Sequence, residues 1–523
     1  MKQLSSYLRG EWQSGSGDDI SLFNPTTEQA CATVKRAEGL DGALAWGREV
    51  GGPALRALTF AQRGELLKAM SKAIYDAREE LIAIAVENGG NTRGDAKFDI
   101  DGATAVLAAY AEIADQLGDT KHLVDGDAAL LMGGGKIRAQ HIRVARHGVA
   151  VHINAFNFPA WGMIGKAAVS LLAGMPVLSK PATSTAWVAH RIAEILIEKE
   201  VLPPGTFQIL MGPAGDLLDH VQSQDVIAFT GSADTGATIR THAKVVQQGV
   251  RVNVEADSLN AAIVGPDVET GTELFDLVVR DCITEMTQKA GQKCTATRRI
   301  LVPESLLEAV RERLVDGLDG RAKATGNPAE KANRMGPLAT ASQLRDGRAG
   351  IKALSESAKI VRGNPERDEF NGVEKGKGYF LEPVLLEATA EAALDPNSSF
   401  HATEVFGPVA TLLPYDGEAS TAAKIISHGH GSLVSTVYSD DRKFLGEAIA
   451  NVAPHLGRMV IAGEKIANAS FAPGLVFPAC NHGGPGRAGS GEELGGTSGL
   501  GLYMQRVALQ GAGAQIARLL GTK

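Results

Sequence analysis

Between residues 149 and 254 short, largely apolar runs alternate with longer helix-like segments. The runs are Val149-Ala150-Val151-His152-Ile153, Pro176-Val177-Leu178-Ser179-Lys180, Phe207-Gln208-Ile209-Leu210-Met211 and Val226-Ile227-Ala228-Phe229-Thr230. Between them lie segments at 166–172, 185–200 and, shorter, 217–221, the second ended by Pro203-Pro204-Gly205. Strands apolar throughout are covered on both faces, and strands separated by helices pair in parallel. The pattern predicts a doubly wound α/β domain.

Upstream, residues 55–87 and 103–116 read as helices that cover this sheet. Residues 130–144 differ: Leu131-Met132 and Ile142-Arg143-Val144 flank Gly133-Gly134-Gly135, a hairpin with a glycine turn. From 261 to about 462 a second alternation, with strand candidates at 299–302, 433–438 and 458–461, predicts a second α/β domain. Residues 482–496 are glycine-rich, and 503–519 form an amphipathic stretch.

Composition narrows the class. A chain of 523 residues exceeds what one core supports. Its 44% hydrophobic and 21% charged residues are those of an ordinary soluble protein, and a net charge of -8 argues against a nucleic-acid partner. No run approaches the roughly 18 apolar residues of a membrane span, and residues 1–10 have no apolar signal core. Cys31, Cys282, Cys294 and Cys480 are widely spaced, which suits neither a metal cluster nor a disulfide framework. A reduced, cytoplasmic protein is expected.

Four places offer chemistry. Phe229-Thr230-Gly231-Ser232 ends a strand and opens a helix, where glycine admits a phosphate and Ser232 can cap free N–H groups. It is not the G-x-G-x-x-G fingerprint, and a plain strand–helix turn would look the same. Cys294 lies between Gly291 and small polar residues just before a strand, a setting that suits exposure at a cleft; a small buried hydrophobe is the alternative. An unperturbed thiol is only ~3% thiolate at pH 7, so a nucleophile here needs a base or an oriented dipole. Glu255 ends a strand and Asn157 follows another; singly they are a solvated carboxylate and an Asx-turn before proline. Together they set a thiol, a carboxylate and an amide at or just after the carboxyl ends of parallel strands, where open α/β sheets bind ligands.

Asn157-Phe158-Pro159, Lys180-Pro181-Ala182, Phe229-Thr230-Gly231-Ser232, Glu255, Gly291-Gln292-x-Cys294 and Glu404-Val405-Phe406-Gly407-Pro408-Val409 follow one another in this order. In these motifs the chain resembles the aldehyde dehydrogenase superfamily along nearly its whole length. The resemblance implies an α/β fold with two doubly wound α/β domains and a small β oligomerisation flap. Residues 1–128 and 149–257 would form the cofactor-binding domain and 258–480 the catalytic domain. Residues 129–148 and 481–523 would form the flap and C-terminal tail, which fits a homodimer or homotetramer. It implies NAD(P)⁺-dependent oxidation of an aldehyde to an acid without a metal. Cys294 would be the nucleophile, Glu255 the base, and Asn157 an oxyanion donor beside the backbone N–H of Cys294. For the cofactor it implies Lys180 on the adenosine ribose, Gly231 and Ser232 at the pyrophosphate, and Glu404 on the nicotinamide ribose. Phe406 would lie against the nicotinamide, and Phe156 joins the cofactor contacts.

Departures from the family pattern narrow the group. Ala256-Asp257-Ser258-Leu259 replaces the usual Leu-Gly-Gly-Lys after Glu255, and Ala155-Phe156 replaces Pro-Trp before Asn157. With His482-Gly483-Gly484-Pro485-Gly486-Arg487-Ala488-Gly489, these resemble two groups acting on ring-opened CoA-thioester semialdehydes. One is the dehydrogenase domain of the oxepin-CoA ring-opening enzymes of phenylacetate degradation. The other is the stand-alone 3,4-dehydroadipyl-CoA semialdehyde dehydrogenases of aerobic benzoyl-CoA degradation. The hydratase domain of the former is not expected in a chain that ends at Lys523. Glu255 favours hydrolysis over transfer to CoA, and intact Cys294, Glu255 and Asn157 argue against a catalytically dead relative. Three residues after Lys180, where the family often carries glutamate for NAD⁺, this chain has Thr183. A neutral hydroxyl there, with Lys180 and Ser179 nearby, favours NADP⁺ by about 2–4 kcal/mol, with NAD⁺ the alternative.

Overall fold

The computed structural model describes residues 1–132, 134, 136–469 and 471–522. Among them, five parallel strands form the centre of the first sheet: Arg251–Glu255, Val226–Thr230, Ala150–Ile153, Val177–Lys180 and Phe207–Ile209, in that spatial order. The antiparallel strands Ser6–Leu8 and Glu11–Gln13 extend its edge. Successive strand residues point to opposite faces. Ala150, Val177, Ile209 and Val226 pack into one apolar cluster and Val151, Leu178, Ile227 and Val254 into another. Both faces are therefore covered, which is why apolar residues occur on both faces of the strands rather than alternating with solvated ones. Chain order along the sheet reverses between Ala150–Ile153 and Val226–Thr230, a topological switch point whose carboxyl end opens a crevice.

The second sheet has the parallel strands Val384–Glu387, Val409–Tyr415, Arg299–Pro303, Ala261–Val264, Ser432–Tyr438 and Leu456–Ala462, with Lys359–Arg362 antiparallel at one edge. Its strands also split by alternation, Ile263, Leu301 and Leu413 to one face, Ala262, Ile300 and Leu412 to the other. Both expected α/β layers are present. One expectation is corrected: Cys294 precedes its strand and so stands at an amino end, as does Glu404. Ser258 N donates to Glu404, and Asn157 Nδ2 donates to Gln292 O at 3.0 Å. The amino-end loops of the second sheet thus meet the carboxyl-end loops of the first.

The helical stretch expected at 55–87 is broken into Gly52–Ala57, Phe60–Asp76 and Arg78–Gly89. A capping box between Thr59 and Gln62 restarts the second of these, a local signal that the apolar pattern hides. No described helix is long and apolar enough to cross a membrane.

The hairpin is longer than its pattern implied, His122–Met132 paired antiparallel with Ile137–Ala145. Gly133 and Gly135 of the expected turn lie outside the described residues. The amphipathic stretch divides into strand Met504–Ala512, which adds to Ile137–Ala145, and helix Gly513–Leu520. Edge strand His122–Met132 of the resulting three-stranded sheet leaves Leu130 and Met132 at 66% and 65% exposure, and helix Gly513–Leu520 leaves Leu519 at 71%. Apolar side chains grouped at a sheet edge are normally covered by another subunit. We propose that this flap makes the protein at least a dimer. Light scattering at micromolar concentration should report a mass of two chains or more, reduced in the double variant Leu130→Glu/Met132→Glu. A monomeric wild-type protein would refute it.

Candidate active site

The loop carrying Cys294 is fixed from several sides. Lys289, Ala290 and Gly291 are all left-handed, at φ 53°, 54° and 69°, and Lys289 N is anchored on buried Asp95. A Cβ on Gly291 would fall 2.2 Å from Gly407 O, so glycine is required there twice over. Arg298, buried, donates to the carbonyls of Gly407 at 2.7 Å, Gly291 at 3.0 Å and Lys293 at 3.2 Å. Asn260 Nδ2 holds the carbonyls of Cys294 and Ala296. Lys293 and Glu285 form an ion pair at 2.8 Å with both side chains 1% exposed. Breaking such a buried pair costs about 3–5 kcal/mol, so this loop is rigid.

Three reactive side chains converge at the loop. His482 Nε2 stands 3.1 Å from Glu255 Oε1 and 3.9 Å from Cys294 Sγ. Burial, then the neighbouring Glu255 charge, pushes the Cys294 thiol well above its ordinary pKa, so the resting group is the thiol. Burial alone would also raise Glu255. His482, Lys166 and a hydrogen bond from Cys294 outweigh it and hold the carboxyl below the usual range. On its other side Glu255 Oε2 accepts from Thr230 Oγ1 at 3.4 Å, which accepts from Lys166 Nζ at 2.6 Å. Lys166 pairs with Glu493 at 3.3 Å, whose carboxyl is raised by burial. A continuous polar path therefore runs from Glu255 to Glu493. Asn157 uses one amide hydrogen on Gln292 O and has a second to offer.

Cys294 and Asn157 line two spaces at once. One is a cleft of about 510 Å³ at the switch point, whose walls include Phe156, Gly231, Ser232, Glu404 and Phe406. Phe156 and Phe406 meet edge to face with ring centres 5.7 Å apart. Glu404 Oε2 accepts from Ser258 N, and burial raises the carboxyl to about 7. Glu404 Oε1 has no hydrogen-bond partner among the described residues and lies 3.6 Å from Arg298 Nε. A buried acceptor left open in a cleft suits a hydroxyl-bearing ligand. Ser232 caps helix Ala233–Thr241 through Thr235 N at 3.3 Å, while Asp257 accepts from Ala233 N at 3.1 Å. That carboxylate stands where an anion would bind a helix N-terminus, so a phosphate there must share or displace it.

Ser179 and Lys180 end a strand and Thr183 follows it; none of the three lines this cleft, whereas Ala182 does. Burial lowers the Lys180 pKa, and its Nζ donates to Pro181 O. Thr183 opens the turn Thr183–Thr185 and is partly exposed. Ser179 is corrected: its hydroxyl is fully buried and accepts from Asn154 Nδ2 at 3.0 Å, because it points into the sheet interior. It is removed from the candidate cofactor contacts.

The second space is a pocket of about 90 Å³ behind Cys294, walled by Phe98, Phe158, Trp161, Val169, Val476 and Leu502. Phe98, Trp161 and Val476 also border a groove of about 440 Å³ with Phe477 and Pro478, so the apolar lining continues outward. The thiol thus stands between a switch-point cleft and a largely apolar pocket, and residues 12–507 match the model of the aldehyde dehydrogenase family. The chain belongs to the aldehyde dehydrogenase family. It is an oxidoreductase acting on aldehydes. A relative 42% identical over 92% of this aldehyde dehydrogenase and 93% of its own length is the 3,4-dehydroadipyl-CoA semialdehyde dehydrogenase of Aromatoleum evansii. Betaine aldehyde dehydrogenase from Staphylococcus aureus, solved with NAD⁺, superposes at a TM-score of 0.83 with 22% identity, covering 98% of this chain and 95% of that one. 3,6-Anhydro-L-galactose dehydrogenase in complex with NAP superposes at 0.83 with 20% identity, over 97% and 100%. Likeness at this identity shows the fold.

Several residues of this aldehyde dehydrogenase escaped the sequence. Lys166 is the one charged residue in helix Trp161–Ala173, a signal that could have marked it. His482 and Glu493 face each other on the hairpin of Asn481–Gly484 and Gly491–Leu494. That hairpin docks on the strand bearing Glu255 through Asn253, whose Oδ1 accepts from Glu492 N and whose Nδ2 donates to Glu493. Sequence distance hid them: His482 lies 188 positions from Cys294.

Proposed function

We propose that this aldehyde dehydrogenase oxidises a CoA-linked semialdehyde, 3,4-dehydroadipyl-CoA semialdehyde, to its carboxylic acid with NADP⁺. The similarity to the Aromatoleum evansii dehydrogenase over nearly both chains carries the substrate class. The apolar pocket and groove leading from Cys294 support it, because an aliphatic arm can lie there with its polar end outside.

The cleft residues suit a dinucleotide. Gly231 and Ser232 would take the pyrophosphate, Glu404 a ribose hydroxyl on its open oxygen, and the Phe156–Phe406 pair the nicotinamide side. On this reading residues 1–128 and 149–257 are the cofactor-binding part, 258–480 the catalytic part, and the flap and tail complete the assembly. The chemistry supplied by the bound cofactor is a two-electron oxidation of the carbon bonded to Cys294.

Cys294 Sγ adds to the aldehyde carbon, its proton leaving to Glu255 or His482, both in reach. The oxyanion formed accepts from the second amide hydrogen of Asn157 and from the Cys294 N–H. One such donor is worth about 2.7–4 kcal/mol. After oxidation the thioester on Cys294 is attacked by water, whose proton Glu255 accepts. Thr230, which donates to the carboxyl, and Lys166 behind it then favour return of Glu255 to its ionised form as the proton leaves to solvent. Steady-state kinetics should give a kcat/KM at least about tenfold higher on the CoA-linked semialdehyde than on free aldehydes of equal length, about 1.4 kcal/mol. Equal values would remove the substrate assignment.

Cofactor choice rests on Lys180 and Thr183. Burial disfavours the Lys180 cation, so an adjacent 2′-phosphate gains by restoring it, and Thr183 can donate to a phosphate oxygen. Thr183→Glu should erase or reverse an NADP⁺ preference, shifting the kcat/KM ratio by about 30-fold or more, mostly through KM for NADP⁺. A wild-type preference for NAD⁺, or an unchanged ratio in the variant, would contradict it.

A further inference from the structure

Cys294, Glu255 and His482 bring a sulfur, a carboxylate oxygen and an imidazole nitrogen within 4.8 Å of one another. Zinc binds sulfur at about 2.3 Å and nitrogen or oxygen at about 2.0–2.2 Å, so a tetrahedral ion needs donors about 3.3–3.6 Å apart. The separations of 3.9 Å for Sγ to Nε2 and 3.1 Å for Nε2 to Oε1 bracket that range. Cys294 Sγ and the Glu255 oxygen also lie within 4.8 Å, so all three donors can reach one ion once the side chains turn toward it. The donors suit zinc; calcium and magnesium require oxygen ligands. Each ligand rests on a separately anchored element: Cys294 on the Arg298-held loop, Glu255 at a strand end, His482 on the hairpin docked to Asn253. Glu255 is 3% exposed, and its Oε1 has no hydrogen bond of good geometry although His482 stands beside it. A buried carboxylate that faces a thiol and an imidazole completes a mixed set of one oxygen, one sulfur and one nitrogen donor.

We propose that these three side chains form an inhibitory zinc site. Zn²⁺ binds Cys294 Sγ, His482 Nε2 and Glu255 Oε1, releases the thiol proton to solvent, and keeps a fourth position open to water from the apolar pocket. The thiolate and carboxylate neutralise the ion, and Lys166 remains balanced by Glu493. Occupancy ties up nucleophile and base together, so inhibition is complete and reversed by a chelator.

The test is a Zn²⁺ titration of the cofactor-free protein against a chromophoric chelator. One ion per chain should bind, with activity lost at the same midpoint and restored by EDTA. Loss of an outer-sphere group typically costs 10–100-fold in metal affinity, so removing a ligand in His482→Gln or Cys294→Ala should cost more than about 100-fold. Co²⁺ bound to the wild-type protein should show tetrahedral visible bands and a thiolate-to-metal charge-transfer band. The wild-type spectrum does not depend on any variant folding. Unchanged Zn²⁺ affinity in correctly folded His482→Gln, or a Co²⁺ spectrum without the thiolate band, would overturn the site. Neither result bears on which aldehyde is oxidised.

Discussion

Arg298 is buried, and its donors satisfy the carbonyls of Gly291, Lys293 and Gly407 while its Nε faces Glu404. A guanidinium away from water is tolerated only when its fork is filled by acceptors, and here the acceptors belong to two different loops. One loop carries Cys294; the other carries Glu404 and Phe406. Their relative position is therefore set by one rigid planar group, and the cleft and the pocket share Cys294 as a common wall. Replacing Arg298 by lysine would keep the charge and lose the fork.

Around that fixed loop the carboxyls of Glu255, Glu404 and Glu493 are pushed in two directions. Glu255 is lowered because His482 and Lys166 face it, whereas Glu404 and Glu493 are raised because burial dominates. An ionised base beside a protonated thiol gives the resting site a charge it can use without importing one. Carboxyls with pKa values pushed apart by their surroundings can divide acid and base work within one cavity.

The two-domain architecture was legible because its strands are largely apolar on both faces, a pattern that follows directly from helices on both faces. Cys294, Glu255 and Asn157 were legible as motif residues, and the structure brings all three to one place. What stayed hidden depended on contacts across long sequence distances. The hairpin bearing His482 and Glu493 reads as a glycine-rich tail, and its docking on Asn253 has no local signature. Ser179 shows the reverse error. Proximity in sequence to Lys180 suggested a cofactor contact, but strand alternation turns the residue inward. Likewise Asp257 looked like a mere departure from a glycine motif until its carboxylate was seen on Ala233 N.

The central claim is that the acyl group passes through Cys294 and leaves by Glu255-assisted hydrolysis. Rapid mixing of Glu255→Gln with aldehyde and NADP⁺ tests it most directly, with intact-protein mass spectrometry of the quenched sample. Glutamine keeps the size and hydrogen bonding of Glu255 but cannot accept the proton of water. The expected result is a burst of about one reduced cofactor per chain, a slow steady state, and an acyl adduct on Cys294. A wild-type steady state with no burst and no adduct would contradict the claim.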